Sequence, residues 1–231
     1  MTASDSHPLL TADRLCRTAE DGTRLLDEVS LSLNKGETVA LVGAPGSGKT
    51  LLLRALAMLD PLDGGEVRLR GDLVTPELVP RFRAQVIYVQ QRPSLIEGTV
   101  RENLILPFMY DSHATRSFDE DTIVSRLSRL GRDSGFLDRT TDDLSGGESQ
   151  MVALLRVLQL DPAVVLLDEP TSSLDQQTAV QVETLLRQWM HEDSHRGMLV
   201  VTHDESQAER LAERIVRMQR GQIIVTEEGQ P

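Results

Sequence analysis

A glycine-rich segment of eight residues places the strongest constraint on what this chain can fold into. It follows the apolar run Thr38–Val42 and precedes residues 51–59, which have the composition of a helix. Its glycines allow positive φ angles and a close approach of the main chain to a ligand. A strand, a tight loop and a helix in this order predict a phosphate-binding loop, because the N–H groups at a helix start attract anions. The segment reads Gly43-Ala44-Pro45-Gly46-Ser47-Gly48-Lys49-Thr50.

Two side chains of this loop suit a nucleotide with its metal ion. Lys49 supplies a mobile positive charge for the β- and γ-phosphates. Thr50 supplies a hydroxyl oxygen, a hard ligand of the kind that Mg²⁺ prefers. The segment satisfies G-x-x-x-x-G-K-[ST], and a chance glycine-rich turn would lack the flanking strand and helix. The sequence therefore predicts a nucleotide phosphate site.

A second candidate site is an apolar run, residues 164–167, that ends in two carboxylates, Asp168 and Glu169. Adjacent side chains of a strand point to opposite faces, so the two groups can serve different tasks. We expect Asp168 to face Mg²⁺, and Glu169 to polarise an attacking water and accept its proton. A strand that ends at a solvated acidic turn is the alternative, and the phosphate loop makes it the less favoured one.

The order of apolar patterns favours an α/β fold. Continuous apolar runs suit strands buried on both faces of a parallel sheet. Residues 29–33 instead read VSLSL, which predicts a half-exposed antiparallel strand. Residues 99–160 have helical character, and residues 215–217 and 223–225 predict a terminal hairpin. We expect one domain over residues 9–231, with a helical subdomain at about 95–160 and residues 1–8 as a flexible N-terminus.

The charge balance limits the partners. The 231 residues include 24 Lys and Arg against 36 Asp and Glu, which gives a formal net charge of −12. Such a chain is unsuited to neutralising nucleic-acid phosphates or to adsorbing on anionic lipid.

No apolar run approaches the roughly 18 residues of a membrane span. Cys16 is the single cysteine and cannot form an internal disulfide. We expect a cytoplasmic protein without a nucleic-acid partner.

A third motif carries a resemblance to a known family. Residues 144–150 read LSGGESQ and precede an apolar helix at residues 151–160. The stretch resembles the LSGGQ signature of ATP-binding-cassette (ABC) ATPases. Ser145 with Glu148 three residues later also predicts a capping box, and the two interpretations are compatible. The resemblance extends from about Leu9 to Val225, with five motifs in the order of the family.

The resemblance implies a fold, an activity and further site residues. The fold is a P-loop NTPase (RecA-like) α/β core with an antiparallel β subdomain and an ABC-type α-helical subdomain. The activity is hydrolysis of ATP with Mg²⁺. Gln91 matches the residue that approaches Mg²⁺ and the attacking water, Asp175 belongs to the matching D-loop, and His203 matches the histidine that contacts the γ-phosphate. The signature residues, which meet the phosphate held by a second subunit, are Ser145, Gly146 and Gly147.

The sequence departs from the family pattern at three places. The family stacks adenine on an aromatic residue upstream of the phosphate loop, and residues 16–19 contain none. We expect Arg17 to stack its guanidinium on the base, or the stacking to be absent. Glu148 replaces the signature glutamine and leaves Ser145 in place. Met151 stands where the family commonly has an arginine.

Three classes of ABC ATPase are candidates. A DNA-repair or chromosome-organising ATPase would carry a long coiled-coil insertion, whereas residues 50–167 contain no heptads. A translation factor would need two cassettes in one chain. The ATPase subunit of a transporter is therefore favoured. It would pair head-to-tail with a second copy of itself and bind a separate permease near residues 92–110, on the inner face of the cell membrane.

The transported substrate is less constrained. Residues 91–104 read QRPSLIEGTVRENL, which is similar to the small FetA-type ATPases that pair with FetB-type permeases in iron export. The LSGGE form also occurs in lipoprotein-release and macrolide-export ATPases, which are the alternative. In this family the cassette does not touch the cargo, so the substrate, the direction of transport and the permease stay open.

Overall fold

The computed structural model describes residues 7–113 and 115–228. Most of the predicted flexible N-terminus, residues 1–6, therefore lies outside the described residues. The described strands form two sheets. The strands are β1 (Leu10–Thr18), β2 (Arg24–Leu33), β3 (Thr38–Val42), β4 (Gly64–Leu69), β5 (Asp72–Leu73), β6 (Val86–Val89), β7 (Val164–Asp168), β8 (Gly197–Val201), β9 (Arg214–Gln219) and β10 (Gln222–Glu228).

The smaller sheet is antiparallel, in the order β2-β1-β4-β5. Its β2 strand contains the alternating VSLSL stretch. Val29, Leu31 and Leu33 are buried and Ser30 is exposed, so the predicted half-exposed strand is confirmed. Alternation of this kind lets one face of the sheet pack on the core while the other meets water.

The larger sheet has the order β10-β9-β3-β8-β7-β6. Its strands β9, β3, β8, β7 and β6 are parallel, and β10 adds an antiparallel edge. Every residue of β3, β7 and β8 is buried, as their continuous apolar runs predict. The predicted terminal hairpin is confirmed as β9 and β10, joined by a two-residue turn, Arg220-Gly221, with φ angles of 47° and 78°.

Seven α-helices connect the strands of the described ranges. Two begin or end elsewhere than the apolar patterns predict. The helix after the phosphate loop ends at Leu56 rather than at residue 59, because Met58 takes a left-handed φ of 55°. The helix after the signature begins at Gly146 rather than at residue 151, because Ser145 caps it. The helices are α1 (Lys49–Leu56), α2 (Val79–Arg83), α3 (Val100–Ile105), α4 (Glu120–Arg129), α5 (Gly146–Leu158), α6 (Gln176–Glu192) and α7 (Glu205–Leu211).

The larger sheet separates two hydrophobic clusters. Val165 and Leu167 of β7 belong to the cluster that includes residues of α3, α4, α5 and α6. Leu166 belongs to the cluster that includes α1 and the antiparallel sheet. Both faces of β7 are therefore covered, as the α/β prediction requires. In the described ranges, no helix is long and apolar enough to cross a bilayer.

Candidate nucleotide site

The phosphate loop lies between the end of β3 and the start of α1. Gly43, Gly46 and Gly48 have φ angles of 155°, 76° and 106°, values that glycine adopts at little cost. A Cβ atom at Gly43 would lie 2.2 Å from the carbonyl oxygen of Met218 in β9. The loop is therefore packed directly against the C-terminal hairpin, and glycine is required at its first position.

Two polar side chains of the loop face inward. Lys49 is buried, and its Nζ donates to the carbonyl oxygens of Gly43 and Ala44, at 2.8 and 3.1 Å. Burial lowers the pKa of Lys49, and the charges of Glu169 and Asp168 oppose that shift. The Ser47 hydroxyl is buried without a hydrogen-bond partner among the described residues. An anion held by the loop would give both side chains a partner, so these residues fit a nucleotide phosphate.

A cavity of about 730 Å³ opens beside the loop, within the usual range for small-molecule sites. Arg17, predicted to stack on the base, is not among its lining residues, and its Nη1 donates instead to the carbonyl oxygen of Pro61, at 2.5 Å. The stacking of Arg17 stays a prediction. The residues that line the cavity include Thr23, Arg24, Leu25, Lys49, Glu169 and Arg220.

Asp168 ends β7 on the face that α1 covers. Asp168 is 3% exposed, and its Oδ2 accepts a hydrogen bond from the Tyr88 hydroxyl, at 3.0 Å. Burial and then the charge of Asp168 raise the pKa of Tyr88, so the phenol stays protonated as a donor. No group of three or more His, Cys, Asp or Glu forms a metal site by itself in the described ranges. Thr50 and Asp168 still fit Mg²⁺, which binds through one or two protein oxygens together with phosphates and water.

Glu169 has a left-handed φ of 45°, which turns the chain at the end of β7. Its Oε2 accepts a hydrogen bond from Gln91 Nε2 at 2.8 Å and lies 3.5 Å from His203 Nδ1. The sequence motifs that contain these residues are far apart, and the fold brings their side chains to one carboxylate. Gln91 rather than Gln90 makes this contact. Glu169 also lines the cavity at the phosphate loop.

A buried polar network extends away from Glu169. Glu183 of α6 is 1% exposed and accepts hydrogen bonds from Gln207 Nε2 at 3.0 Å and from Arg210 Nε and Nη2 at 3.0 and 2.9 Å. Gln207 also donates to Thr171 Oγ1, at 2.6 Å. The network therefore joins the helix that follows His203 to the segment that follows Glu169.

The signature residues start α5, where the predicted capping box is confirmed. Ser145 Oγ accepts from the N–H of Glu148 at 3.2 Å, and Glu148 Oε2 accepts from the N–H of Ser145 at 2.9 Å. Burial raises the pKa of Glu148, but the hydrogen bonds from Ser145 and Arg139 outweigh it and lower the pKa overall. A Cβ at Gly147 would lie 2.8 Å from Leu174, whereas one at Gly146 would meet no atom within 4 Å. The signature therefore packs on the D-loop with one open side.

The predicted signature residues Ser145, Gly146 and Gly147 and the predicted D-loop residue Asp175 lie elsewhere than at the phosphate loop. None of the three signature residues lines the cavity there. Asp175 caps α6, with its carboxylate accepting from the hydroxyl and the N–H of Thr178, at 2.6 and 3.0 Å. These hydrogen bonds lower the pKa of Asp175. Neither the signature residues nor Asp175 contact the phosphate loop of their own chain. A nucleotide that they bind would therefore have to be held by another copy of the chain.

Sequence reasoning missed several residues that the fold brings to the site. Tyr88 has a weak signal, since it lies on a strand ahead of Gln91. Arg24, near the start of the chain, and Arg220, near its end, both line the cavity beside the phosphate loop. Glu183, in the middle of α6, lines a second cavity together with Glu169 and His203. Their sequence neighbours carry no motif that would have identified them.

Comparisons with known proteins agree with this geometry. Residues 26–172 match the family ABC transporter. The chain is 36% identical over 225 residues to the phosphate import ATP-binding protein PstB 2 of Natronomonas pharaonis, covering 88% of this chain and 75% of that one. It is 38% identical over 202 residues to the sulfate/thiosulfate import ATP-binding protein CysA of Nocardia farcinica, covering 86% of this chain and 59% of that one. The chain thus spans little more than half of the length of CysA.

Solved structures of ABC cassettes have the same fold as this chain. The dimeric bacterial ABC transporter cassette MJ0796 superposes with a TM-score of 0.85 at 27% identity, over 96% of this chain and 99% of that one. Its post-hydrolysis dimer bound to ADP and Pi superposes with a TM-score of 0.84 at 26% identity, over 96% and 99% of the two chains.

Proposed function

The chain belongs to the ABC transporter family and carries an ABC ATPase domain, and on that premise we propose that ATP hydrolysis here drives transport through a separate membrane permease. The observation that carries the proposal is the cluster of Gln91, Glu169 and His203 beside the phosphate loop. This arrangement combines a loop for the phosphates, a carboxylate for the attacking water, a hydrogen bond from Gln91 that holds the carboxylate, and an imidazole beside it.

Hydrolysis begins with the triphosphate on the loop. Phosphate oxygens are charged acceptors and attract the Lys49 ammonium more strongly than do the carbonyl groups of Gly43 and Ala44. Thr50, Asp168 and Gln91 are the residues that would hold Mg²⁺. When bound there, Mg²⁺ would neutralise part of the negative charge on the phosphate oxygens.

Glu169 is the residue assigned to the attacking water. It accepts a proton as the water oxygen bonds to the γ-phosphorus and the bond to the ADP oxygen breaks. Gln91 holds the carboxylate by its hydrogen bond, and His203 Nδ1 lies 3.5 Å from the same carboxylate. His203 is assigned to the γ-phosphate. Donors placed before the reaction need no rearrangement during it, which is how such groups lower the barrier.

A second copy of this chain is proposed to complete each nucleotide site. Ser145, Gly146 and Gly147 lie away from their own phosphate loop, and the helix start at Gly146 is open. In a head-to-tail dimer the open helix start would meet the γ-phosphate on the partner subunit, and the symmetry would make two equal sites. The dimeric cassettes of MJ0796 support this arrangement.

The permease is proposed to bind near residues 92–110, which would hold the chain on the cytoplasmic face of the cell membrane. This segment exposes three large apolar side chains: Ile96 at 42%, Met109 at 76% and Tyr110 at 59%. Met109 and Tyr110 are adjacent in the chain, and large exposed apolar side chains within one segment suit an interaction surface. Met109→Glu should therefore release the chain from membranes of cells that contain the permease, as measured by membrane fractionation.

Two cargo assignments rest on different observations. The residue pattern from Gln91 to Leu104 supports iron export, as in FetA-type systems, with lipoprotein release and macrolide export as alternatives. The curated relatives with import names, for phosphate and for sulfate or thiosulfate, support import of an anion. Cells that lack the chain should accumulate iron if it exports iron, and should take up less phosphate or sulfate if it imports an anion.

The ATPase proposal is tested by Glu169→Gln. The variant should bind ATP normally, hydrolyse it about 10²–10⁴-fold more slowly, and accumulate as an ATP-bound dimer on size-exclusion chromatography. Glu66→Gln is a matched control, because Glu66 is exposed on the antiparallel sheet. Normal turnover by Glu169→Gln would remove Glu169 from its assigned role.

A further inference from the structure

Tyr88 and Asp168 lie on the same face of two neighbouring parallel strands. Tyr88 of β6 pairs in register with Leu166 of β7. Because side chains alternate along a strand, Asp168 lies on the face of Leu166, two residues further along. Both Tyr88 and Leu166 pack in the cluster that contains α1. The Tyr88 ring therefore lies on the same face of the sheet as the Asp168 carboxylate, beside the phosphate loop.

The contact of Tyr88 with Asp168 stands out because Asp168 has few other partners. Its carboxylate is buried, and within residues 7–113 and 115–228 the Tyr88 hydroxyl is its one hydrogen-bond donor. Oδ2 accepts this bond, and Oδ1 has no protein donor in the same ranges. This one hydrogen bond comes from a neutral donor, and the positive charge that acts on the carboxylate is that of Lys49. This asymmetry suits a group that has one oxygen fixed and the other free for a cation or its water.

We propose that Tyr88 is a positioning residue that fixes the Asp168 carboxylate for the Mg²⁺ of the nucleotide. The inference rests on the proposed function, because that function assigns Asp168 to the metal. Partners of metal-site carboxylates restrict the carboxylate to one orientation, and their loss commonly weakens metal binding by 10–100-fold. The hydroxyl of Tyr88 performs this task from outside the site, while its half-buried ring is held by packing against α1 and its neighbours.

Tyr88→Phe tests the proposal, because it removes the hydroxyl and keeps the ring. We expect about 10-fold weaker binding of Mn²⁺, used as a paramagnetic substitute for Mg²⁺, to the protein with a non-hydrolysable ATP analogue. Electron paramagnetic resonance measures free and bound Mn²⁺ directly, without reference to ATPase activity. Affinity for the analogue in the absence of divalent metal should stay unchanged, since the phosphate loop is untouched.

Asp168→Asn and the double variant separate the possible failures. If Tyr88 acts through Asp168, Tyr88→Phe should have no further effect on Mn²⁺ affinity in the Asp168→Asn background. Wild-type affinity in Tyr88→Phe, together with weakened binding in Asp168→Asn, would overturn the role of Tyr88 and leave the metal site in place. Wild-type affinity in both variants would refute the assignment of Asp168 itself. Equal losses with and without metal would indicate a structural role only.

Discussion

Removing the buried carboxylate of Glu183 should measure how strongly the two catalytic segments are tied together. Glu183→Ala removes three hydrogen bonds, two of them from the Arg210 guanidinium. Breaking a buried charged pair costs about 3–5 kcal/mol. We expect the lower end, about 3 kcal/mol, because the Arg210 side chain is 45% exposed and can be rehydrated, and because Gln207 keeps its bond to Thr171.

The assay is urea and thermal unfolding of the purified chain. A loss of about 3 kcal/mol corresponds to a fall of about 6–12 °C in the unfolding midpoint for a domain of this size. Glu66→Ala is the control, because the ion pair of Glu66 with Arg68 has both side chains more than 40% exposed and should contribute about 1 kcal/mol or less. Glu183→Gln should fall between the two, since it keeps the shape and loses the charge. A Glu183→Ala loss no larger than that of Glu66→Ala would refute the reasoning.

Three further substitutions test the glycine positions and the base contact. Gly43→Ala should abolish ATP binding in calorimetry, because its Cβ would lie 2.2 Å from a backbone oxygen, and retained binding would contradict that close approach. Gly147→Ala should lower the midpoint of thermal unfolding by displacing Leu174, whereas Gly146→Ala should not lower it; equal losses would show that the packing difference has no energetic weight. Arg17→Ala should weaken ATP binding if the guanidinium stacks on the base, and an unchanged dissociation constant would refute the stacking.

The sequence predicts best where a local pattern decides the structure. The strands β3, β7 and β8 follow from continuous apolar runs that only a doubly covered sheet can bury. The capping box of Ser145 and Glu148 follows from the spacing of two residues. These features depend on neighbours within a few positions, so the printed sequence contains almost all of the information that they need.

The sequence predicts less well where distant segments meet. Arg17 belongs to β1, and only the folded chain shows that the carbonyl group of Pro61 is within its reach. Glu183 is one of many polar residues of α6, and its burial depends on where α7 packs. Met58 ends the first helix with a left-handed φ that a methionine seldom takes. Tertiary contacts decide each of these outcomes.

The turn between β9 and β10 has a consequence for the order in which the molecule can be made. The N–H of Gly221 donates to the carbonyl oxygen of Ser47 at 2.9 Å, and its own carbonyl oxygen accepts from the N–H of Asp27. A nascent chain that has emerged from the ribosome only through β8 contains the phosphate loop but lacks the hairpin that packs against it. Domains fold as units while synthesis proceeds from the N-terminus. The phosphate loop therefore gains its backbone contact with the hairpin only once residue 221 has emerged, and we expect nucleotide to stabilise the newborn protein by mass action from that point.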